Sequence, residues 1–332
     1  PIMRWVALRA GFVDNPGGRK QHDMPVPPIG GFAIFLVYMS FLIFAGSIAS
    51  SLFVALGLIL VVGIIDDARG MNAKVKFVLH FLAAIILVVG GGAQIMTLGN
   101  VLGFGTLELG IMTIPFSVAC VVYILNAVNM MDGVDGLAGG NSFIILAWFA
   151  VAALWAGRCA DLIEILALMA TLAGFLVYNM RTPFRKKANV FLGDAGSMAL
   201  GLMISWFAIR LSQGQGAAIQ PISVAWIIAL PIVDAFGLLL ARLKDRKPPF
   251  EPDTRHFHHH FLQAGYQPKY ITPLILLWSG CLGAVGFLGE NYGVPEYVLG
   301  WGWIVLWWGH ALLVIKKDIF IRFLCWAQKV CG

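Results

Sequence analysis

Charge is what this sequence has least of. Asp, Glu, Lys and Arg make up 12% of its 332 residues, hydrophobic residues make up 59%, and mean hydropathy is +0.83. A soluble domain carries about 25% charged residues. There is too little polar surface here to cover the apolar mass, which excludes a pair of soluble domains, disorder, collagen and coiled coil. Cysteine is scarce too. Cys120, Cys159, Cys281, Cys325 and Cys331 form no CxxC pair, which leaves neither a disulfide framework nor a zinc site. No GxxxxGK[ST] loop is present, which removes a P-loop ATPase. Polar–apolar alternation is missing, which removes a membrane barrel. No cleavable signal sequence is visible, and Pro1 in place of Met points to a missing start. The net charge of +6 and pI of 9.1 fit inside-positive loops better than a nucleic-acid partner.

What remains reads as an all-α polytopic membrane protein. A helix that crosses a bilayer needs about 20 residues, or about 30 Å at 1.5 Å per residue. Ten apolar segments come near that description: 29–48, 50–65, 75–93, 114–130, 141–157, 160–178, 190–210, 221–241, 270–289 and 296–315. The second is short, and glycine is frequent, as suits close helix contacts in lipid. Loop charge sets the orientation. With ten spans, 21 of the 23 basic residues fall on one side, and only Arg158 and Arg210 on the other. The acids divide 12 to 5, so the two sides carry +9 and −3. The basic side, with both ends of the chain, is expected to face the cytoplasm. Residues 1–332 are read as one membrane domain with its catalytic loops on that side.

Acids at a membrane boundary cost free energy and are functional candidates by default. Here they gather on the basic side. Asp66 and Asp67 close the run GLILVVGIIDD. Adjacent carboxylates repel, so a divalent cation, or Lys74 and Lys76, would keep both ionised, unless the two acids merely mark a helix end. The segment NAVNMMDGVDGLAGG, 126–140, holds Asn126, Asn129, Asp132 and Asp135. If the helix runs through Asp135, the three-residue spacings align oxygen ligands along one face. Mg2+ takes such oxygens together with waters and substrate phosphates; a solvated Gly–Asp loop is the plainer reading. In VFLGDAGSMALG, 190–201, Asp194 stands where the chain enters a span, as a helix cap, a metal ligand or both.

Arg255, His256, His258, His259 and His260 follow a stretch stiffened by Pro248, Pro249 and Pro252. Histidine donates to phosphate or moves a proton near neutral pH. Phosphate or sugar contact is favoured over metal ligation and over an incidental polar loop. His256 and His258 lead as candidates, with His260 turned to solvent. Arg19, Lys20 and His22, set among proline and glycine residues before a span, read either as an inside-positive anchor or as an anionic headgroup or diphosphate site. Asp234, Arg210, His80 and His310 lie in or beside spans, where a buried polar role is the simpler reading. The one-sidedness of the clusters argues against a transporter, whose charges line both faces or the midplane.

In their joint order, DNPGGRKQH (14–22), PPIGG (27–31), IIDD (64–67), NAVNMMDGVDGLAGG (126–140), VFLGDAGS (190–197), PISVAWIIALPIVD (221–234) and PFEPDTRHFHHH (249–260) resemble the polyprenyl-phosphate N-acetylhexosamine-1-phosphate transferases. The resemblance runs from Asp14 to about Lys317 and is strongest to the bacterial branch that makes undecaprenyl-diphospho-GlcNAc. It departs at Phe257, where relatives often have isoleucine, at His260, which extends the histidine run, and at Gly17–Gly18.

The resemblance implies transfer of a sugar 1-phosphate from cytoplasmic UDP-GlcNAc to undecaprenyl phosphate, with release of UMP. It implies Mg2+, with Mn2+ as its substitute, a place in the bacterial inner membrane, and a homodimer. The lipid product would start O-antigen or enterobacterial common antigen. The alternative is a sister enzyme that uses another UDP-N-acetyl sugar or serves teichoic-acid synthesis. By this resemblance Asp66 and Asp67 are the paired catalytic aspartates, and Asn129 and Asp194 hold Mg2+. Asp132 and Asp135 form the second acidic motif around nucleotide and metal, and Asn126 belongs to the same substrate-binding segment. Lys76 contacts the acceptor phosphate. Arg255, His256, His258 and His259 face the donor sugar and phosphates, with His256 also catalytic, and Arg19, Lys20 and His22 form the amino-terminal basic motif. The branch has eleven spans, so the chain is expected to lack the first of them.

Overall fold

Apolar runs in lipid can satisfy their backbone only as helices or closed barrels. All ten expected segments are helical in the computed structural model, which describes residues 2–9, 11–14, 25–47, 49–181, 185, 187–248 and 255–331. In chain order the helices are α1 (Ile2–Arg9), α2 (Gly30–Phe44), α3 (Ser50–Arg69), α4 (Ala73–Ile85), α5 (Thr113–Met131), α6 (Leu137–Trp155) and α7 (Cys159–Asn179). They continue with α8 (Gly193–Ser212), α9 (Pro221–Ile227), α10 (Ala229–Lys244), α11 (Phe257–Gln263), α12 (Pro268–Asn291), α13 (Glu296–Ile315) and α14 (Lys317–Cys331). Among the described residues there is no strand, only the isolated bridges Asp14–Val26 and Thr97–Glu108.

Among the described residues, eight helices are long and apolar enough to cross a bilayer, α4 and α5 among them through short π- and 3-10-helical extensions. A ninth span exists only if α9 and α10 are counted together, and these are bent by 75°. The break has a local cause. Pro231 has no N–H to offer the carbonyl of Ile227, and its ring crowds that position. The remaining expected segment is α2, an apolar helix of only 15 residues. Helices α1, α11 and α14 lie outside the ten expected segments.

The spans alternate in direction. The ends of α3, α5, α7 and α10 therefore meet the beginnings of α4, α6, α8 and α12 at one end of the bundle, the end that carries the basic loops. At the centre stands α8, buried along nearly all its length. Helix α3 reaches it through Gly63: a Cβ at that position would lie 2.2 Å from the Ala195 Cα, so any side chain would force the two helices apart. At the opposite end, α7 and α8 are joined by a charged clasp that the sequence reading missed. Arg210 pairs with Asp161 at 2.6 Å and with Glu164 at 2.9 Å, and Arg158 pairs with Asp161 at 2.6 Å. Asp161 and Glu164 are both buried, which buried acids accept only when paired. The outer faces of the spans carry apolar side chains, as at Val37, Leu277 and Val305.

Candidate active site

Asp66 and Asp67 lie in the last turn of α3. Negative charge there opposes the helix dipole, so each carboxylate needs donors from elsewhere. Asp66 Oδ1 accepts the Met71 N–H at 2.6 Å, and its Oδ2 pairs with Lys76 Nζ at 2.6 Å. Asp67 turns to α8. Its Oδ1 accepts the N–H of Asp194 at 2.9 Å and its Oδ2 that of Ala195 at 3.2 Å. No intrahelical carbonyl reaches these first-turn amides, so Asp67 caps α8 from a neighbouring helix.

That capping corrects one expectation. Asp194 does not cap its own helix, because its side chain is engaged elsewhere. Asp194 Oδ2 accepts from Lys76 Nζ at 2.8 Å, and its Oδ1 accepts from Asn129 Nδ2 at 2.8 Å. Asn129 Nδ2 also reaches Ser197 Oγ at 2.9 Å, and its Oδ1 accepts from Lys76 Nζ at 3.4 Å. One ammonium thus gathers two carboxylates and an amide oxygen from α3, α5 and α8. Of the two lysines considered as counter-ions, Lys76 carries the pairing, and Lys74 is exposed.

A second correction concerns Asp132 and Asp135. They are not on a continued helix. α5 stops at Met131, and the chain turns through residues 132–136 before α6. Gly136, at φ +77°, makes the turn possible. Asp135 Oδ2 pairs with Arg181 Nε at 2.7 Å, and the Asp135 carbonyl accepts from Thr272 Oγ1 at 3.0 Å. Asn179 stitches the turn to the segment before α8: its Oδ1 accepts the Gly136 N–H at 2.8 Å, and its Nδ2 donates to the Val190 carbonyl at 2.9 Å. Asp132 opens onto solvent in the cleft. The protein mass crowded around it, and then the charges of Asp194, Asp67 and Asp135, push its carboxyl up to about 8.

The histidines divide by burial. His256 caps nothing with its own side chain; its Nδ1 lies 3.0 Å from Asp234 Oδ2. His258 is buried against Gly133, and burial, followed by the neighbouring His256 and His259, lowers its pKa to about 3. His259 lines the cleft. His260 corrects the expectation that it faces solvent: it is wholly buried beside Phe320, and burial brings its pKa down to about 4.

These groups surround a cleft of about 630 Å3 whose walls include Asp66, Asp67, Asp132, Asp135, Asp194 and His259. Lys76 and Asn129 stand one layer behind Asp66 and Asp194. Arg181, Lys187 and Asn179 also line it. In the sequence the first two stand out only as loop charge, and Asn179 carries no signal. Four expected groups stand apart from the wall: His258, buried behind Gly133, and three more. Asn126 donates to the Val122 carbonyl of its own helix at 2.7 Å. Arg255 pairs with Asp245 at 2.6 Å. His256 is held at Asp234, one layer removed. Arg19, Lys20 and His22 lie outside the described residues.

The atoms that accept from Lys76 Nζ are all oxygen, which suits Mg2+ and not a thiolate-seeking metal. Among the described residues no three carboxylates, imidazoles or thiolates converge as a ready-made cation site. Two carboxylates and one amide oxygen are what the position offers, and Mg2+ ordinarily completes its shell with waters and substrate phosphates. Asn129 and Asp194 therefore fit such an ion, with Lys76 standing where positive charge is wanted.

A family model described as glycosyl transferase family 4 matches residues 49–212. Over 302 residues, 90% of this chain and 82% of each relative, the chain is 31% identical to the undecaprenyl-phosphate alpha-N-acetylglucosaminyl 1-phosphate transferases of Yersinia pestis and Escherichia coli (strain K12). Over 308 residues, 92% of this chain and 87% of the relative, it is 30% identical to the enzyme of that name from Haemophilus influenzae.

Proposed function

Since the chain belongs to glycosyl transferase family 4 and, within it, to the polyprenyl-phosphate N-acetylhexosamine-1-phosphate transferases, we propose that it transfers GlcNAc 1-phosphate from UDP-GlcNAc to undecaprenyl phosphate. The products are undecaprenyl-diphospho-GlcNAc and UMP. The cleft would face the cytoplasm of a bacterial inner membrane, where the basic loops belong by charge. The observation that carries this reading is the convergence of Asp66, Asp194 and Asn129 on Lys76 Nζ behind a polar cleft of about 630 Å3. That volume is within the range of small-molecule sites, roughly 300–1,000 Å3.

Phosphoryl transfer between two anions needs charge compensation and alignment above all. Asn129 and Asp194 would hold Mg2+, or Mn2+ in its place, which when bound supplies positive charge to the donor diphosphate and to departing UMP. Lys76 exchanges a carboxylate for the acceptor's phosphate. An acceptor oxygen attacks the donor's β-phosphorus. A phosphorus–oxygen bond forms, the bond from that phosphorus to the oxygen shared with UMP breaks, and UMP leaves with the electron pair. A lipid phosphate, with a second pKa of about 6, is already largely ionised at neutral pH, so Asp66 orients it and need not act as a strong base. Asp67 keeps Asp194 in place through the helix cap. Arg181 holds Asp135 beside Asp132, and His258 and His259 contribute to the donor side.

The test is direct. Purified protein given radiolabelled UDP-GlcNAc, undecaprenyl phosphate and Mg2+ forms a labelled lipid. The product is lost with EDTA and falls by about 100-fold or more in Asp66→Asn and Asp194→Asn, the scale seen when a charge-stabilising group is removed from an active site. A panel of other UDP-N-acetyl sugars fixes the donor. No labelled lipid from any of them, or full activity in both variants, refutes the assignment.

A further inference from the structure

Among the described residues, Asp234 is the one deeply buried acid at the cleft end that the proposed chemistry does not use. It lies in α10, is 4% exposed, and is surrounded by an apolar run. A carboxylate in such a place is stable only with donors on both oxygens, and it has them. Oδ1 accepts the backbone N–H of Phe257 at 2.9 Å and faces His310 Nε2 at 3.4 Å, and Oδ2 faces His256 Nδ1 at 3.0 Å. His310 comes from α13 and is itself buried. An ionised carboxylate only accepts. The nitrogens that face it, Nδ1 of His256 and Nε2 of His310, are therefore donors. The Phe257 amide is a first-turn donor of α11, one of those a helix cannot satisfy internally. A single side chain in α10 thus holds the start of α11, orients His256 and links both to His310 of α13. Phe257 packs on the same group, its ring 5.2 Å from that of His310.

This matters for the cleft because α11 carries its histidines. His258 meets Gly133 in the acidic turn, and His259 lines the wall. We infer that Asp234 and His310 are positioning residues for the histidine helix: the shared carboxylate sets the start of α11, and with it the place of His258 and His259 against the donor end of the cleft. The inference rests on the proposed transferase reading for its kinetic readout. Neither residue touches substrate; both act through α11.

The experiment compares Asp234→Asn, His310→Leu and His310→Gln in the full-length protein in nanodiscs. Gln keeps an N–H near the Nε2 position and Leu does not. In Asp234→Asn and His310→Leu the KM for UDP-GlcNAc rises five-fold or more, while the KM for undecaprenyl phosphate stays within two-fold. His310→Gln restores the donor KM to within two-fold of the wild type. A merely structural role would lower the active fraction and leave both KM values unchanged. Hydrogen exchange over residues 256–263 is read on the same samples. Amide exchange there accelerates about ten-fold in Asp234→Asn and His310→Leu and not in His310→Gln. Unchanged donor KM in Asp234→Asn and His310→Leu, or failure of Gln to rescue, overturns the inference. If the wild type makes no lipid product, the transferase reading fails by itself, and the exchange pattern alone decides the inference: equal protection in all variants overturns it.

Discussion

Asp67 accepts the backbone N–H of Asp194 at 2.9 Å, so the acid that ends one helix begins another. This single bond ties two motifs 127 residues apart in sequence into one site. It also separates the two neighbouring aspartates by task, since Asp66 faces the lysine and Asp67 the helix terminus.

The separation predicts different failures. Asp67→Ala removes a cap and lowers stability by about 1 kcal/mol, the usual cost of losing one, and it lowers turnover because Asp194 shifts with its helix. Asp66→Asn lowers turnover with little loss of melting temperature. Thermal unfolding in detergent, run beside the radiolabel assay, checks both; equal melting losses in the two variants would contradict the division.

Lys76 occupies the cation position between Asp66 and Asp194 and so competes with any metal for the same oxygens. Lys76→Gln is expected to abolish most turnover and yet to bind Mg2+ more tightly when substrate is absent. Binding to the folded state alone stabilises it by RT ln(1 + [L]/Kd), about 2.7 kcal/mol at 100 Kd. The variant's melting temperature therefore rises more per increment of Mg2+ than the wild type's. An equal rise in both proteins would place the ion elsewhere.

Asp132 provides a pH test. Its carboxyl is pushed from 3.8 up to about 8 in the folded protein, by the crowding around it and then by Asp194, Asp67 and Asp135. Raising an acid's pKa on folding penalises the charged form, so the associated stability is complete below the unfolded value and lost as pH climbs through the folded one. Metal-free wild-type protein should lose melting temperature, relative to Asp132→Asn, between about pH 4 and pH 8 and then level off. A difference that stays flat across this interval would show that the carboxyl titrates normally.

Gly63 gives a purely steric test. A methyl there would sit 2.2 Å from the Ala195 Cα, whereas one at Gly57 on the same helix meets nothing within 4 Å. Gly63→Ala should cost about 1–3 kcal/mol, as overpacking does, and should reduce turnover by moving Asp67 away from α8. Gly57→Ala should leave stability unchanged or raise it by roughly 0.5–1 kcal/mol through better helix propensity. Matched melting curves for the pair would remove the close approach from the account.

Much of the architecture was legible because lipid simplifies the rules. Long apolar runs have to be helices, and charge counts sorted their ends. Asp66, Asp67, Asn129 and Asp194 were legible as a group because each stands at the same end of its run. Their pairings were not, because position along a helix does not say which neighbour it meets. Nothing in the order of residues separates Lys74 from Lys76, or tells that Asp67 and not Asp194 supplies the cap. A helix continued through Asp135 gives way to a turn at Gly133 and Gly136, and the 221–241 span is bent by 75° next to Pro231; both breakers are visible as residues, but periodicity and hydropathy do not say how far they act. The clasp of Arg158, Asp161, Glu164 and Arg210 escaped because Arg158 and the two acids entered only the charge count and nothing in the order of residues pairs them with Arg210. His310 and Asp234 looked like isolated buried polar groups until the fold brought α11 between them.

The far-end clasp has a mechanical consequence. α8 is gripped by Asp161 and Glu164 through Arg210 at one tip and by Asp67 at the other, with helices packed along its length. It is a fixed post. Under the proposed reaction, a motion that admits a lipid or releases a nucleotide cannot tilt α8 without breaking one of these two grips.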